Sequence, residues 1–276
     1  MTTASVDPNE LLELALRLAH DAAALIRDRP ADLGTDTKAT PTDAVTVTDR
    51  ASERLILAGL EAARPEDAVV AEESGSSGDT AAGGVRWYVD PLDGTVNYLY
   101  DLPQYAVSIA AEVAGEMVAG VVLDVATGDA YTATRGGGAR CNGRPLTCRD
   151  ESDPALALVA TGFSYDAQRR AAQAEVLRAV LPRVRDIRRM GAAALDLCAV
   201  AAGQVDGYFE ERLKPWDWAA GALIAQEAGA RVGTVGGGPL AESIALAANP
   251  TLYDALETML AATNGAGPAG SRPPAP

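Results

Sequence analysis

Asp90 and Asp93 stand three positions apart around Pro91 in the stretch WYVDPLDGTVNY, residues 87–98. Val85, Trp87 and Val89 alternate as a strand would, which puts Asp90 at a strand's C-terminal end. Pro91 fixes the turn, and Asp93 is expected to point back toward Asp90 from the start of a helix. Gly94 and Thr95 then read as the first helical residues, whose N–H groups have no intrahelical acceptor. Free N–H groups at a helix start, beside a residue without a side chain, suit an anion and phosphate above all. Two carboxylates at the same place would repel that phosphate. A divalent cation between them turns repulsion into bridging, and Mg²⁺ is the natural ion, being hard and oxygen-liganded. For DPLDGT alone the plainer alternative is an Asp N-cap beside a turn acid, and these six residues do not decide between the two.

Three further stretches carry acids in telling company. EESG (72–75) places Glu72 before a glycine, where it reads either as a further ligand or as a solvated loop residue. PWDWAAGALI (215–224) sets Asp217 in the first turn of a helix between Trp216 and Trp218. An acid among large apolar groups needs a partner or a metal, although one in a first turn can also serve the helix dipole. PTDAVTVTDR (41–50) holds Asp43 and Asp49, and Asp49 can be read simply as the cap of the helix that follows.

Taken together, these pieces resemble one family. EES at 72, DPLDGTVNY at 90–98 and WDWAAGALIAQEAGA at 216–230 look like the hallmark motifs of the inositol monophosphatase family. PTDAVTVTD upstream and GAAALDLCAVAAGQVDGYFE at 191–210 fit in order and spacing, and the resemblance runs over roughly residues 8–262, closest to the bacterial inositol-1-monophosphatase branch. The resemblance implies a layered αβαβα sandwich, a homodimer, and Mg²⁺-dependent hydrolysis of inositol 1-phosphate to inositol and phosphate, with inhibition by Li⁺. It implies two to three Mg²⁺ ions held by Glu72, Asp90, the Leu92 carbonyl, Asp93 and Asp217. Thr95 with Glu72 would activate the attacking water, with Asp49 in support. Phosphate would sit on the Gly94 and Thr95 amides. Asp93, Ala193, Glu210 and Asp217 match positions that contact the alcohol part of the substrate. Lys38 and Asp43 match a mobile loop over the site.

The chain also departs from its relatives. Ala192 stands where many of them carry Ser or Thr, and DGTVNY differs from the form found in the nucleotide bisphosphatase branch. Fructose 1,6-bisphosphate and histidinol phosphate are alternative substrates, and a non-catalytic regulatory protein that keeps the fold is the rival from another class. Arg183, Arg185, Arg188 and Arg189 alternate as along a strand. They read as a solvated or dimer-facing edge, or as a means for Arg188 to orient Glu210 or the neighbouring subunit.

The elements that must position these residues follow from periodicity and breakers. Helices are expected at about 9–28, 49–63, 167–181, after Gly191, 215–228 and 250–262. AVVAEESG reads as a short buried strand. Other strands are expected at 85–90, 104–114, 117–125, 128–134, 156–161, 185–190, within QVDGYFE, and at 230–234 and 244–248. Residues 75–84 and RGGGARCNGRPL (135–146) read as loops and residues 263–276 as a disordered tail. A meander followed by alternating helices and strands predicts an α/β domain over 1–262. Its two closely packed halves, about 1–150 and 151–262, would share a cleft.

Bulk composition narrows the chemistry. The 276 residues carry a formal net charge of −15, which weighs against a nucleic-acid partner. It also means that bound cations must offset repulsion of any phosphate substrate. No apolar run approaches the ~18 residues of a membrane span, and the N-terminus lacks the pattern of a secretory signal, so a cytoplasmic protein is expected. Cys141, Cys148 and Cys198 read as reduced thiols. His20 is the single histidine, so chemistry built on histidine is set aside in favour of carboxylates.

Overall fold

The computed structural model describes residues 6–38, 40–78, 84–237 and 243–264. Helix α1 (Pro8–Arg27) begins where Asp7 accepts the Asn9 N–H, with Pro8 in the first turn. Leu11, Leu14, Leu18 and Ile26 bury one face of it. A hairpin of two-residue strands follows, β1 (Asp36–Thr37) and β2 (Ala44–Val45), then α2 (Val47–Ala63). Next come β3 (Ala68–Ala71), β4 (Gly75–Ser77), β5 (Val85–Asp93), α3 (Thr95–Leu99), β6 (Ala106–Val113), β7 (Glu116–Asp124), β8 (Ala130–Thr134), β9 (Gly138–Cys141) and β10 (Arg144–Pro145). The remainder runs β11 (Leu158–Thr161), α4 (Ala167–Val180), β12 (Asp186–Arg188), α5 (Ala193–Ala201), β13 (Gly207–Glu211), α6 (Pro215–Glu227), β14 (Arg231–Thr234), β15 (Ile244–Ala248) and α7 (Pro250–Asn264).

Two sheets carry the architecture. The first has eight strands in the order β10-β9-β8-β7-β6-β5-β3-β4, and the second has five in the order β12-β11-β13-β15-β14. Helices α1 and α2 cover one face of the large sheet, where Leu18, Ile26 and Ile56 pack against Trp87, Ile109 and Val121. Its other face meets α5 and α6 through Ala194, Ala219, Ala220 and Leu223. The same two helices cover the small sheet through Leu197, Val200 and Ala225 against Tyr208 and Ala247. Helix α7 closes the far side with Leu252, Leu256 and Leu260 over Val159, Phe209 and Leu246, and α4 lies against α7. The layers are therefore αβαβα, as expected. Small residues make the middle layer thin: a Cβ on Gly120 of β7 would come within 3.1 Å of the α6 backbone at Ala220.

Several sequence expectations need correction. Strand β5 does not stop at Asp90 but continues to Asp93 through a bulge, with Asp90 opposite Ser108 and Asp93 opposite Ala106. Two residues of β5 thus face one of β6, and the ladder resumes beyond them. Gly94 is not helical: it caps α3 in the left-handed region at φ 89°, and α3 is only five residues long. Asp49 does not cap α2 either. Thr46 does, and Asp49 is the third helical residue of a reciprocal capping box. The stretch read as loop at 135–146 forms the β9–β10 hairpin, because Tyr131 and Ala133 of β8 offer pairing partners to Cys141 and Ala139. Of the expected loop 75–84, residues 75–77 pair as β4, and 79–83 lie outside the described residues. Helix α7 extends to Asn264, and the rest of the expected tail, 265–276, also lies outside them. Among the described residues no helix is long and apolar enough to cross a membrane.

Candidate active site

A cavity of about 540 Å³ opens where the two sheets meet. Lys38, Asp43, Glu72, Asp90, Leu92, Asp93, Gly94, Thr95, Ala193, Glu210 and Asp217 all line it. The topology accounts for the convergence. Parallel strands β3 and β5 deliver Glu72 and Asp90–Asp93 at their C-terminal ends. Helix α6 starts beside β6, where Ser108 donates to the Trp216 carbonyl at 3.2 Å, so Asp217 arrives next to Asp90. Asp49 is fully buried behind the wall rather than on it.

The bulge at Pro91 and Leu92 shapes the acidic wall. Asp90 Oδ1 accepts the Leu92 N–H at 3.0 Å, which fixes the turn. The Leu92 side chain is fully buried, and its carbonyl lies 3.0 Å from the Thr95 hydroxyl. Thr95 Oγ1 lies 2.8 Å from Asp49 Oδ1. Gly94 is required by the path of the chain: its φ is 89°, and a Cβ there would lie 2.7 Å from the Gln104 carbonyl. The N–H groups that follow it open α3 and have no intrahelical acceptor.

Asp90, Asp93 and Asp217 are each held by a backbone donor and crowded by the other acids, while Glu72 is held by Lys38. Asp93 Oδ2 accepts the Ala194 N–H at 2.8 Å, and Asp217 Oδ2 accepts the Lys214 N–H at 2.7 Å. Burial, with the Glu72, Asp93 and Asp217 charges added, pushes the Asp90 carboxyl well above its usual range. Burial and Glu72 do the same for Asp217. Burial raises Asp93 to about 7, against the pull of the Ala194 N–H. Burial raises Glu72 too, although the Lys38 ammonium pulls the other way. Acids in such numbers disfavour one another's ionisation, a repulsion that a bound cation relieves.

Lys38 supplies a partial substitute. Its ammonium lies 2.7 Å from Glu72 Oε1 and 2.5 Å from Glu73 Oε1. Burial works against that charge, but the Glu72 and Glu73 carboxylates outweigh it and hold the lysine above its ordinary pKa. Among the described residues no three acids already form a metal-holding cage. The donor chemistry nevertheless fits a hard cation. Four carboxylates and a backbone carbonyl, all oxygen, line one cavity, and two of the carboxylates, Asp90 and Asp217, are held well above their ordinary range by burial and by the repulsion of neighbouring acids, the second of which a cation would relieve.

The opposite wall holds Glu210, whose Oε2 accepts the Tyr208 hydroxyl at 2.8 Å. Burial raises its pKa, while Tyr208 and the Arg189 guanidinium lower it. Its carboxyl lies so close over Gly162 that a Cβ there would stand 1.8 Å from Oε2. Ala193 lines the cavity at the start of α5, and Ala192 is buried just before it, leaving no hydroxyl at that turn. Of the readings for Arg188, a role toward Glu210 is not supported: Arg188 pairs with Asp186 at 2.6 Å on the solvated edge of β12, and Arg189 is the arginine that enters the cavity. Sequence reasoning missed Glu73, which shares Lys38, and Glu53, which accepts the Glu73 N–H at 2.8 Å. It also missed Tyr165, whose carbonyl accepts the Thr42 hydroxyl at 2.9 Å and ties two loops together at the cavity mouth. Only Glu73 left a signal, as the second acid of EES.

The chain that builds this cavity resembles proteins already described. The model of the inositol monophosphatase family matches residues 7–265. The chain belongs to that family. It is a phosphoric monoester hydrolase. It is 46% identical to the inositol-1-monophosphatase of Mycobacterium leprae (strain TN), over 97% of this chain and 99% of that one. It is 39% identical to the Nus factor SuhB of Escherichia coli (strain K12), over 83% of this chain and 86% of that one. Among solved structures, the extragenic suppressor protein suhB of Bartonella henselae superposes with a TM-score of 0.85 at 36% identity. That match covers 91% of this chain and 98% of the other. This inositol monophosphatase fold therefore holds with the carboxylates of four separate segments gathered on one cavity.

Proposed function

We propose that the protein is a Mg²⁺-dependent phosphomonoesterase that hydrolyses inositol 1-phosphate to inositol and phosphate. The observation that carries this reading is the convergence of Glu72, Asp90, Asp93, Asp217 and the Leu92 carbonyl on one cavity, with the Thr95–Asp49 pair at its edge. Those five residues would hold two to three Mg²⁺ ions. Bound Mg²⁺ neutralises the acids and the substrate phosphate and makes water a better nucleophile at neutral pH.

The chain's own residues do the rest. The Gly94 and Thr95 amides receive the phosphate oxygens. The Thr95 hydroxyl, held by Asp49, orients the attacking water, and Glu72 takes up its proton. The water attacks phosphorus in line and the ester P–O bond breaks; the departing alkoxide takes a proton from solvent, and Glu72 gives its proton back to solvent. Asp93, kept in place by the Ala194 N–H, contacts the alcohol part together with Glu210, Asp217 and the Ala193 turn. Li⁺ inhibition, a homodimer and a cytoplasmic location go with this reading.

Fructose 1,6-bisphosphate and histidinol phosphate fit the same chemistry as alternative substrates. A purely regulatory role, prompted by the relative named a Nus factor, has less support, because every matched acid is present and faces the cavity or backs it. The test is phosphate release from inositol 1-phosphate with Mg²⁺, repeated with Li⁺ added. Release that Li⁺ suppresses is the expected result, and no turnover on any small phosphomonoester overturns the reading.

A further inference from the structure

Helix α2 buries polar side chains where a covering helix ordinarily buries apolar ones. Thr48, Asp49, Ser52 and Glu53 are all buried, and the buried apolar positions begin only at Ile56 and Leu60. Their spacing, i, i+1, i+4 and i+5, puts the four on one face of the helix. A buried hydroxyl or carboxylate is costly unless it is hydrogen-bonded, and each of these reaches a different point of the segments that carry the site. The Thr48 hydroxyl lies 3.3 Å from the Tyr98 hydroxyl, and Asp49 Oδ1 lies 2.8 Å from the Thr95 hydroxyl. Ser52 Oγ donates to the Pro91 carbonyl at 2.8 Å, and Glu53 Oε2 accepts the Glu73 N–H at 2.8 Å.

Ser52 and Glu53 act on the peptide units that flank the acids. The Pro91 carbonyl and the Leu92 N–H belong to one planar peptide unit. Ser52 holds its carbonyl end, and Asp90 Oδ1 holds its N–H end at 3.0 Å. Clamped at both ends, the unit sets the direction of the Asp90 carboxylate on one side and of the Leu92 carbonyl on the other. Glu72 is framed in the same way. Its own N–H donates to the Val89 carbonyl at 3.2 Å, and the peptide unit after it is held where the Glu73 N–H meets Glu53. Ser52 and Glu53 stand behind the cavity wall, not on it.

We propose that Ser52 and Glu53 are positioning residues for the metal-side wall. From one face of α2 they hold the Pro91–Leu92 and Glu72–Glu73 peptide units, so that Asp90, the Leu92 carbonyl and Glu72 stand ready for Mg²⁺. Without Ser52 the buried Pro91 carbonyl loses its donor, and the peptide is free to turn and carry the Asp90 carboxylate and the Leu92 carbonyl with it. Groups that orient metal ligands from behind are worth about 10–100-fold in metal affinity. The inference rests on the Mg²⁺ reading above and concerns residues that touch neither metal nor substrate.

The experiment follows the melting temperature of the full chain against Mg²⁺ concentration, which reads metal affinity without turnover. Ser52→Ala and Ser52→Cys remove the strong donor, the second with the space still filled. Glu53→Met removes the acceptor, and Glu53→Gln keeps one. Asn249→Ala is the control. It removes the cap of α7 on the far side of the fold, where Asn249 Oδ1 accepts the Leu252 N–H at 3.0 Å. The Mg²⁺ concentration at which stabilisation sets in is expected to rise about tenfold or more in Ser52→Ala, Ser52→Cys and Glu53→Met. Glu53→Gln should bind several-fold more tightly than Glu53→Met. Asn249→Ala should melt earlier without metal and keep its Mg²⁺ response within about twofold of the wild type. The proposal is overturned if Ser52→Ala, Ser52→Cys or Glu53→Met binds Mg²⁺ like the wild type. It is overturned as well if Asn249→Ala weakens binding as much, which would mark a general loss of stability, or if Glu53→Gln is as weak as Glu53→Met, which would make Glu53 a charge and not an acceptor. A wild type that Mg²⁺ stabilises at no concentration overturns the Mg²⁺ reading itself, and the proposal with it.

Discussion

The Thr95 hydroxyl lies 2.8 Å from Asp49 Oδ1, and Asp49 is fully buried. Asp49 also accepts the Thr46 N–H at 2.8 Å and the Thr46 hydroxyl, so its carboxylate is locked from three sides. A hydroxyl that gives its proton to a fixed acceptor keeps its lone pairs for the cavity side, where a water can be oriented. Thr95→Ala is therefore expected to lower kcat by about 10²–10⁴-fold, the usual worth of a positioned proton-transfer group. Thr95→Ser keeps the hydroxyl and is expected to retain most of the rate. Asp49→Asn should match the alanine variant in rate and lose about 1 kcal/mol of stability from the weakened capping box. Steady-state phosphate release and thermal melts separate the two effects.

Asp93→Asn is expected to abolish turnover while raising the melting temperature of the metal-free protein. The asparagine oxygen can still accept the Ala194 N–H, so the fold keeps its contact. One negative charge is removed from a group that also contains Glu72, Asp90 and Asp217. Each kcal/mol of repulsion relieved is worth about 2–4 °C in a chain of this size. Added Mg²⁺ should stabilise the wild type and give this variant much less. An unchanged Mg²⁺-induced shift would remove Asp93 from the ligand set.

The raised acids also set a pH dependence whose sign can be worked out. Asp93 is held at about 7 by burial, above its unfolded value. Between those two values the folded chain binds the extra proton, so this contribution turns against folding as pH rises from about 4 to about 7. Asp90 and Asp217, also raised by burial and by their neighbours, push in the same direction. Metal-free protein should lose stability from about pH 4 to about pH 7 relative to Asp93→Asn, and the stabilisation by Mg²⁺ should grow over the same window. Parallel melting curves for wild type and variant across that range would contradict the assignment.

How much of this was legible in the sequence depended on distance along the chain. The buried stripe of α1 and the alternation of β5 are local patterns, and α1 forms and β5 starts where periodicity puts them. The acids of DPLDGT, EES and WDW could be paired with one another through family resemblance. The bulge at Pro91 could not be seen, because it depends on the register against Ser108 and Ala106 of another strand. Arg188 and Arg189 are neighbours with identical side chains, and only the end of β12 decides which one turns into the cavity. Gly162 carries no signal at all until Glu210, on the adjacent strand, is seen lying over it.

Lys38 and Mg²⁺ are expected to compete for Glu72. The ammonium lies within 2.7 Å of Glu72 and 2.5 Å of Glu73, so a cation that takes Glu72 must displace it or share the carboxylate. Lys38→Met leaves the two glutamates facing each other without a counter-ion. The metal-free melting temperature should fall, and the Mg²⁺ concentration at half-maximal stabilisation should fall with it. Weaker Mg²⁺ binding in the variant would instead make Lys38 an aid to metal entry.

Gly162→Ala tests the alcohol-facing wall without touching a charged group. The new Cβ would stand 1.8 Å from Glu210 Oε2, so the carboxylate must swing away and strain its bond to the Tyr208 hydroxyl. A displacement of that size is expected to lower kcat/KM for inositol 1-phosphate by about tenfold to a hundredfold. The loss should fall mainly on KM if Glu210 has its proposed place against the alcohol and not the phosphorus. The Mg²⁺-induced rise in melting temperature should stay at its wild-type value, because Glu72, Asp90, Asp93 and Asp217 are untouched. If Mg²⁺ stabilisation drops together with kcat/KM, Glu210 belongs with the metal-side acids and the division of the cavity into two walls fails.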